Sequence, residues 1–207
     1  VTELTKYPVE IIPVVRCLSS YTPEYIKTKA IELDIHSCQK NAFERIGSPD
    51  VLIHLAWGDL PNYKSLHHFE KELPLQYQFL KNMIASGLHS LVVTGTCFEY
   101  GMQSGRLYEN MQTLPSNPYG FTKDVLRCQL EYLQKAKPFT FTWARLFYLY
   151  GEGQSENSLL PLLHKAVEQG KKTFNMSGGE QLRDYLSATE VAKHLVSLAI
   201  AGKNAEY

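Results

Sequence analysis

The chain has 207 residues, 44% of them hydrophobic, and its 21 basic residues balance 21 acidic ones. This length and hydrophobic content are enough to build one domain around a sizeable core, with a small appendage besides. The balanced charge argues against a nucleic acid or an anionic membrane as partner, so any bound anion must be held by a local site.

The cysteines, the histidines and the hydropathy indicate a protein of a reducing compartment. Four cysteines are scattered without Cys-x-x-Cys spacing, and the sequence shows neither a secretory signal nor a run of about 18 apolar residues. We therefore expect a cytoplasmic protein with no membrane association. The seven histidines lack metal-ligand spacing; adjacent His67 and His68 are interpreted as a solvated pair, and no metal is expected.

Strand and helix signals alternate along the chain, after an opening segment that resembles the end of a helix. Strands are predicted at 9–16, 30–35, 51–56, 91–96 and 139–149, and helices at 39–46, 69–86, 118–136, 159–169 and 191–201. The strands are apolar without strict alternation, and the first of them is expected to be buried. This pattern predicts an α/β fold with a doubly wound parallel sheet that is covered on both faces.

One stretch combines a strand end with a helix start and carries the strongest chemical signal. The strand ends in Thr96, and the helix opens with Asn117 as N-cap and Pro118 at its first position. Tyr119 and Lys123 are four residues apart, which places a phenol and an ammonium on one helix face. A nearby cation lowers a phenol pKa from about 10 toward the working range. Thr96 would hold a substrate oxygen against Tyr119.

The Tyr-x-x-x-Lys spacing alone does not identify a site, because it occurs three times in the sequence. The other pairs are Tyr25 with Lys29 and Tyr77 with Lys81. Neither of them follows a strand that ends in small and hydroxyl residues, so both are interpreted as surface or packing residues. The pair formed by Tyr119 and Lys123 is the candidate.

Several motifs, in order along the chain, resemble the extended short-chain dehydrogenase/reductases, the nucleotide-sugar epimerase/dehydratase family. They are Asp34-Ile35, His54-Leu55-Ala56, Thr94-Gly95-Thr96, Phe98-Glu99-Tyr100-Gly101, Pro118-Tyr119-Gly120 with Lys123, the segment 145–153, and Gln181-Leu182-Arg183-Asp184-Tyr185. The resemblance implies a Rossmann-like domain at 1–150 and a partial, small C-terminal substrate-binding portion at 151–207. It also implies homodimers that pair through 69–86 and 118–136.

The resemblance implies that a dinucleotide lies along the carboxyl ends of the strands. Its expected contacts are Arg16, Asp34, Ile35, Leu55, Ala56, Trp57, Thr94, Tyr119 and Lys123. No Gly-x-Gly-x-x-Gly or Gly-x-x-Gly-x-x-Gly segment occurs in the 207 residues. Either the first strand and its loop lie outside this sequence, which the resemblance favours, or the nucleotide site differs.

Three of these cofactor positions have open interpretations. Arg16, followed by Ser19 and Ser20, favours NADP over NAD because a basic side chain accepts the 2′-phosphate, but a solvated arginine fits as well. Asp34 either borders the adenine or is a turn residue. Trp57 stands where the family usually has an alanine, so it forms either the cofactor floor or a wall of the substrate pocket.

The expected substrate contacts are Thr96, Cys97, Tyr148 and Arg183. Arg183 would pair with the substrate diphosphate, or else form an ion pair with Asp184. The family's dehydratases carry Asp-Glu after the threonine, whereas Cys97 and Phe98 stand here, so dehydration is not expected. Glu99 is expected to point elsewhere. Tyr148 replaces the family's usual asparagine, which argues against an enzyme that epimerises UDP-galactose.

The resemblance therefore implies an NAD(P)-dependent oxidoreductase that acts on a nucleotide sugar. The favoured reaction is 4-ketoreduction of a nucleotide 4-keto-6-deoxysugar, a step toward bacterial surface polysaccharides, with a nucleotide-sugar epimerase as the alternative. Thr96, Tyr119 and Lys123 would be the catalytic residues. A non-catalytic NAD(P)-binding or sensor protein is the alternative from another functional class.

Overall fold

The computed structural model describes residues 1–18, 24–37, 41–202 and 204–206. The strands are β1 Val14–Val15, β2 Ile31–Glu32, β3 Val51–His54, β4 Ser90–Thr96, β5 Thr140–Leu146, β6 Tyr148–Tyr150, β7 Tyr185–Ser187 and β8 Ala205–Glu206. The α-helices are α1 Glu24–Lys27, α2 Ala42–Arg45, α3 Leu73–Ser86, α4 Pro118–Ala136, α5 Leu159–Glu168 and α6 Ala188–Ala201. Short 3-10 turns occupy Leu4–Lys6 and Cys97–Glu99, and a π-helical turn occupies His68–Glu72.

Four parallel strands in the order β3-β4-β5-β8 form the main sheet. Helices α3 and α4 cover one face, where Leu91 and Val93 pack against Leu80 and Leu126. On the other face, Val92 and residues of β5 pack against α6. The central strand is buried from 91 to 96, as a strand covered on both faces must be. The predicted doubly wound α/β class is confirmed.

The predicted first strand is largely wrong. Only Val14–Val15 forms a strand, which pairs in parallel with β2 as a separate two-stranded sheet. Val9 and Val14 are 41% and 38% exposed rather than buried. Pro8 and Pro13 lack a backbone N–H, which limits how far the ladder can extend. Burial also needs a neighbouring element, and in the described residues β1 hydrogen-bonds to β2 alone.

Other boundaries differ where tertiary contacts override the local pattern. The strand predicted at 139–149 is two strands, because the chain leaves the main sheet after Leu146 and β6 pairs with β7 instead. The strand predicted at 51–56 ends at His54, with Val51 exposed. The helix predicted at 39–46 is Ala42–Arg45, because Asn41 has the left-handed φ of 61°, and residues 38–40 lie outside the described chain.

Local capping explains where the main helices begin and end. The Asn117 side chain accepts from the backbone N–H of Gly120, which confirms the predicted start of α4. Ser187 accepts from the N–H of Glu190, so α6 starts three residues earlier than its apolar pattern predicts. Gly87 follows α3 with φ 121°, a backbone angle that favours glycine. No helix in residues that the structure describes is long and apolar enough to cross a membrane.

Buried His54 makes stability depend on pH. Its Nε2 lies 2.7 Å from Gln76 Oε1, and burial, with the charge of Lys123, lowers the His54 pKa from 6.5 to about 4. As the pH falls, the unfolded chain therefore binds the proton before the folded one. The stabilisation that His54 contributes is complete above pH 6.5 and is lost as the pH falls toward 4. We expect His54 to contribute about 3 kcal/mol of this loss. Urea unfolding across this range should show a smaller loss in His54→Gln. Substituting exposed His89 by glutamine should leave the profile unchanged; equal pH dependence in His54→Gln would contradict the assignment.

Candidate active site

The site lies where β4 ends and α4 begins. Thr96 is the last residue of β4, and the turn Cys97–Glu99 follows it directly. The first turn of α4 lies against this turn so closely that a Cβ on Gly120 would come within 2.6 Å of the Phe98 carbonyl oxygen. Glycine at this position thus allows the helix to bring Tyr119 next to the strand end.

The three residues predicted to be catalytic are brought together and buried. The Thr96 side chain lies close enough to the Tyr119 phenol to lower its pKa. Lys123 lies one helical turn below Tyr119, and both side chains point away from solvent. The site thus combines a hydroxyl, a phenol and an ammonium at the carboxyl end of the central strand.

The electrostatics of Tyr119 differ from the sequence-based expectation. Burial raises the pKa of the Tyr119 phenol well above its ordinary value of 10, and the Thr96 side chain opposes the rise only in part. Burial also lowers the pKa of Lys123 from 10.5 to about 8. The expected decrease in the Tyr119 pKa is therefore wrong for this structure, because the loss of hydration on burial is the largest effect on the phenol.

Aromatic rings surround Tyr119 and account for the loss of hydration. The ring centroids of His68, Tyr63, Trp57 and Phe98 lie 5.4, 5.5, 6.0 and 6.2 Å from that of Tyr119. The sequence did not reveal this cluster, because its members come from three separate segments of the chain. The cluster makes a tight, apolar wall around the phenol.

Trp57 lies beside both Tyr119 and Lys123. Its ring centroid is 4.4 Å from Lys123 Nζ, a cation–π contact that also holds the ammonium in place. Trp57 Nε1–H donates to His68 Nδ1 at 3.1 Å, and His68 Nε2 lies 3.1 Å from the carbonyl oxygen of Asn62. These two bonds place the His68 proton on Nε2 and fix the indole orientation. In this structure Trp57 is therefore a wall beside the phenol.

The interpretation of His67 and His68 as a solvated pair is wrong for His68, which is fully buried in the π-helical turn. The same turn carries Glu72, also fully buried. Its Oε1 lies 3.1 Å from His36 Nε2 and 3.2 Å from His67 Nε2, while Gln76 donates to Oε2 at 3.0 Å. Burial works to raise the Glu72 pKa, but these hydrogen bonds, with one from the Gly58 backbone, hold it below its ordinary value. The turn thereby ties the Trp57 loop to α3.

Glu99 does not point away from the site, as the sequence had suggested, but lies fully buried beneath Thr96. Its Oε1 accepts from the Thr96 backbone N–H at 2.8 Å, and its Oε2 accepts from Arg145 Nε at 2.7 Å. A signal for this arrangement was present in the sequence. A glutamate three residues after a threonine is the spacing of a capping box, which the structure contains here.

The expected substrate contacts Tyr148, Arg183 and Cys97 lie near one another. The guanidinium carbon of Arg183 is 4.5 Å from the Tyr148 ring centroid. Burial raises the pKa of the Cys97 thiol, and the charge of Arg183 is among the opposing effects, so the two side chains are neighbours. The alternative pairing with Asp184 is not how Arg183 is held: Arg183 hydrogen-bonds Gln181 and stacks on Tyr148.

The expected contacts with the adenosine half lie in the small sheet of β1 and β2. Arg16 is exposed just after β1, and the predicted neighbours Ser19 and Ser20 lie outside the described residues. Asp34 follows β2, and its Oδ1 accepts from the backbone N–H of His36 at 3.0 Å. The interpretation of Asp34 as a turn residue therefore agrees with its hydrogen bonding. Its position after the carboxyl end of β2 also agrees with the expected contact to the adenine.

The remaining expected cofactor contacts lie at the carboxyl ends of β2, β3 and β4. Ile35 follows β2 and packs against the main core. Leu55 and Ala56 follow β3 and are exposed. Thr94, within β4, donates from Oγ1 to the carbonyl oxygen of His54 at 3.4 Å.

Comparison with known proteins identifies the chain's relatives. It is 27% identical over 155 residues to dTDP-6-deoxy-L-talose 4-dehydrogenase (NAD(+)) of Aggregatibacter actinomycetemcomitans, a match that covers 74% of this chain and 57% of that protein. Two solved structures share its fold at 21% identity. TunA, an NAD-dependent NDP-hexosamine 5,6-dehydratase, gives a TM-score of 0.79 over 98% of this chain and 68% of its own. MoeE5 in complex with UDP-glucose and NAD gives a TM-score of 0.78 over 99% of this chain and 68% of its own.

The chain spans about half the length of the curated relatives it matches. A sequence profile described as the NAD dependent epimerase/dehydratase family matches residues 1–206, nearly the whole chain. This match confirms the resemblance inferred from the ordered motifs. The chain belongs to the NAD-dependent epimerase/dehydratase family.

Proposed function

We propose that the protein transfers hydride between a nicotinamide dinucleotide and a nucleotide sugar, and that its reaction is the reduction of a 4-keto-6-deoxysugar. The observation that carries the proposal is the buried set of Thr96, Tyr119 and Lys123, in which Thr96 lies close enough to the phenol to affect its pKa. The talose relative supports the sugar class by its name, since reversing a 4-dehydrogenase reaction reduces a 4-ketone.

The residues of this chain fit the nicotinamide half of a dinucleotide. A phenol and an ammonium one helical turn apart lie in the helix that begins beside the end of β4, and the candidate contacts Leu55 and Ala56 follow the neighbouring strand β3. The bound dinucleotide would supply or accept the hydride. MoeE5 was solved with NAD, and the talose relative is named for NAD(+). From Arg16 we nevertheless propose that this protein prefers NADP to NAD.

The three residues would have distinct tasks in the reduction. Tyr119 would give its hydroxyl proton to the ketone oxygen while the carbon receives hydride, and Thr96 would orient that oxygen. Lys123 would hold the nicotinamide ribose, as the resemblance implies. Because burial raises the Tyr119 pKa, the phenol is protonated at neutral pH. That is the form needed to reduce a ketone, whereas an epimerase must first take a proton from a hydroxyl.

The test is cofactor consumption by the purified protein with a panel of nucleotide 4-keto-6-deoxysugars, each with NADH and with NADPH. We expect the reduced-nicotinamide absorbance to fall with at least one sugar. Product epimerisation without net cofactor consumption would instead identify an epimerase. Cofactor binding with no turnover of any sugar would identify the non-catalytic class and overturn the proposal.

Arg183 is expected to bind the substrate diphosphate, because its guanidinium lies over Tyr148 near Cys97. Replacing Arg183 with glutamine removes a charge-assisted hydrogen-bond donor, so KM for the nucleotide sugar should rise about 10- to 100-fold with kcat nearly kept. Steady-state kinetics measures both values. Arg106 makes a similar contact with Tyr108 at 5.1 Å, and Arg106→Gln is the matched control. An equal KM in Arg183→Gln and wild type would contradict the assignment.

We also propose that residues 1–150 bind the cofactor and 151–207 the sugar, and that two copies pair through the outer faces of 69–86 and 118–136. Exposed Phe69 and Phe121 contact each other with ring centroids 5.5 Å apart, which offers an apolar surface for a second copy. Analytical ultracentrifugation of wild type and Phe121→Glu tests the pairing. Cys17, Cys97 and Cys128 form no disulfide among the described residues, which suits the proposed cytoplasmic location.

A further inference from the structure

We propose that Glu99 is a positioning residue that links Thr96 and Lys123, the two partners of Tyr119, through one buried network. Its catalytic consequences rest on the function proposed above. The network itself is a property of the protein without substrate, and it includes Trp143 and Arg145.

The first link connects Glu99 to the Thr96 hydroxyl. Glu99 Oε1 accepts from the Thr96 backbone N–H at 2.8 Å, and Thr96 Oγ1 accepts from the N–H of Phe98 at 3.3 Å. These bonds close the turn after β4 around a carboxylate that is fully buried. By accepting a hydrogen bond from the Thr96 N–H, the Glu99 carboxylate fixes the position of Thr96. It thereby also positions the Thr96 hydroxyl near Tyr119.

The second link connects Glu99 to the ammonium of Lys123. Trp143 Nε1–H donates to both oxygens of Glu99, at 3.2 and 3.0 Å, and the same indole ring lies 5.5 Å from Lys123 Nζ. There is no spare room in this contact, because a Cβ on Gly95 would come within 2.3 Å of Trp143 Nε1 and 2.5 Å of Glu99 Oε1. A glycine in β4 therefore allows the indole to lie between the two charges.

The donor set around Glu99 calls for an ionised carboxylate. Burial raises the Glu99 pKa, while the charge of Arg145 and the hydrogen bonds from Thr96, Arg145 and Trp143 oppose that rise. All of these groups donate, and a protonated carboxyl would add an O–H with no acceptor among them. Arg145 Nε donates to Oε2 at 2.7 Å, so a buried ion pair supports the network from below.

Besides its hydrogen bonds to Thr96, Trp143 and Arg145, Glu99 also acts on Lys123 through its charge. Burial lowers the pKa of Lys123 to about 8, and Glu99 is the larger of the opposing charges, ahead of Glu72. The ionisable groups that face Lys123 are Glu99 after β4, Glu72 in the π-helical turn, His54 at the end of β3, and Tyr119 on its own helix, with Arg145 behind Glu99. Removing the Glu99 charge leaves Lys123 with Glu72 as its main acidic neighbour.

Two substitutions separate the charge of Glu99 from its reach. Glu99→Gln keeps the length and removes the charge, whereas Glu99→Asp keeps the charge and withdraws it by one methylene. Lysine labelled with ¹³C at the ε carbon reports the Lys123 titration by NMR, with assignment from Lys123→Arg. Amide hydrogen exchange reports protection of the Thr96 N–H. Neither measurement needs substrate, so a failure of the proposed reaction leaves both results valid.

We expect the Lys123 midpoint, near pH 8 in the wild type, to fall in Glu99→Gln. In Glu99→Asp, we expect faster exchange of the Thr96 amide and a kcat about 10- to 100-fold lower with KM kept. Glu131→Gln is the matched control, because Glu131 lies on the outer side of α4 and pairs with Arg127.

An unchanged Lys123 midpoint in Glu99→Gln, or unchanged Thr96 protection in Glu99→Asp, would overturn the proposal. Glu99→Gln leaves the Arg145 charge buried without its carboxylate and can therefore fail to fold. In that case the aspartate variant, which retains the ion-pair charges, decides the outcome through Thr96 protection. A merely structural role for Glu99 would lower stability without moving the titration or separating kcat from KM.

Discussion

Replacing Tyr119 with phenylalanine is expected to lower kcat by about 10²- to 10⁴-fold, because no other group would be placed to exchange a proton with the sugar oxygen. The variant should fold, since it loses only the interaction of the hydroxyl with Thr96 and keeps the ring contacts with Trp57, Tyr63, His68 and Phe98. Steady-state rates of cofactor oxidation measure the effect, and a thermal melt checks the fold.

Tyr77 provides a matched control for this substitution. It precedes Lys81 by four residues, as Tyr119 precedes Lys123, and Lys81 Nζ lies 6.0 Å from its ring. Tyr77→Phe removes the same atom from the same sequence spacing, outside the candidate site. We expect its kcat to equal that of the wild type. Similar rates for the two variants would show that the Tyr119 hydroxyl takes no part in proton transfer.

Replacing Gly101 with alanine should be the most destabilising single-methyl change near the site. Gly101 has φ 70°, and a Cβ there would lie 1.9 Å from the Leu114 carbonyl oxygen. The backbone must move, because Leu114 N–H also donates to the carbonyl oxygen of Glu99 at 3.0 Å. Left-handed strain and overpacking together should cost about 3 kcal/mol. Urea unfolding measures the loss.

Gly105 separates the two sources of this cost. It has φ 89°, similar to that of Gly101, but a Cβ there meets nothing within 4 Å. Gly105→Ala should therefore cost about 1 kcal/mol, from backbone strain alone. A loss in Gly101→Ala no larger than in Gly105→Ala would mean that the loop moves away from Leu114 without penalty.

Local signals in the sequence were sufficient for the central strands of the main sheet and for the start of α4. Strand β4 is apolar on both faces, and Asn117 with Pro118 marks the first turn of α4, so the juxtaposition of Thr96 with Tyr119 could be predicted. The ordered motifs were sufficient for the family, which the profile match confirms. These features depend on residues close together in the chain or on a recognised order.

The surroundings of the site could not be predicted, because they depend on contacts between distant segments. Trp57 reaches Tyr119 and Lys123 only after β3 and α4 have packed on the same sheet. His68 is buried because the chain makes a π-helical turn, which has no clear local signature. Burial of Tyr119 itself raises its pKa, so a prediction from its spacing to Lys123 alone gave the wrong sign for the pKa shift.

The position of the two tryptophans makes this protein its own optical probe. The chain contains only Trp57 and Trp143, and the rings of both lie within 5.5 Å of Lys123 Nζ. Their emission therefore arises beside one amine, with no distant tryptophan to dilute it. A change in the protonation of Lys123, or a ligand that displaces the ammonium from the Trp57 face, alters the electric field at both indoles. Intrinsic fluorescence thus reports directly on the chemistry of the site, without a label.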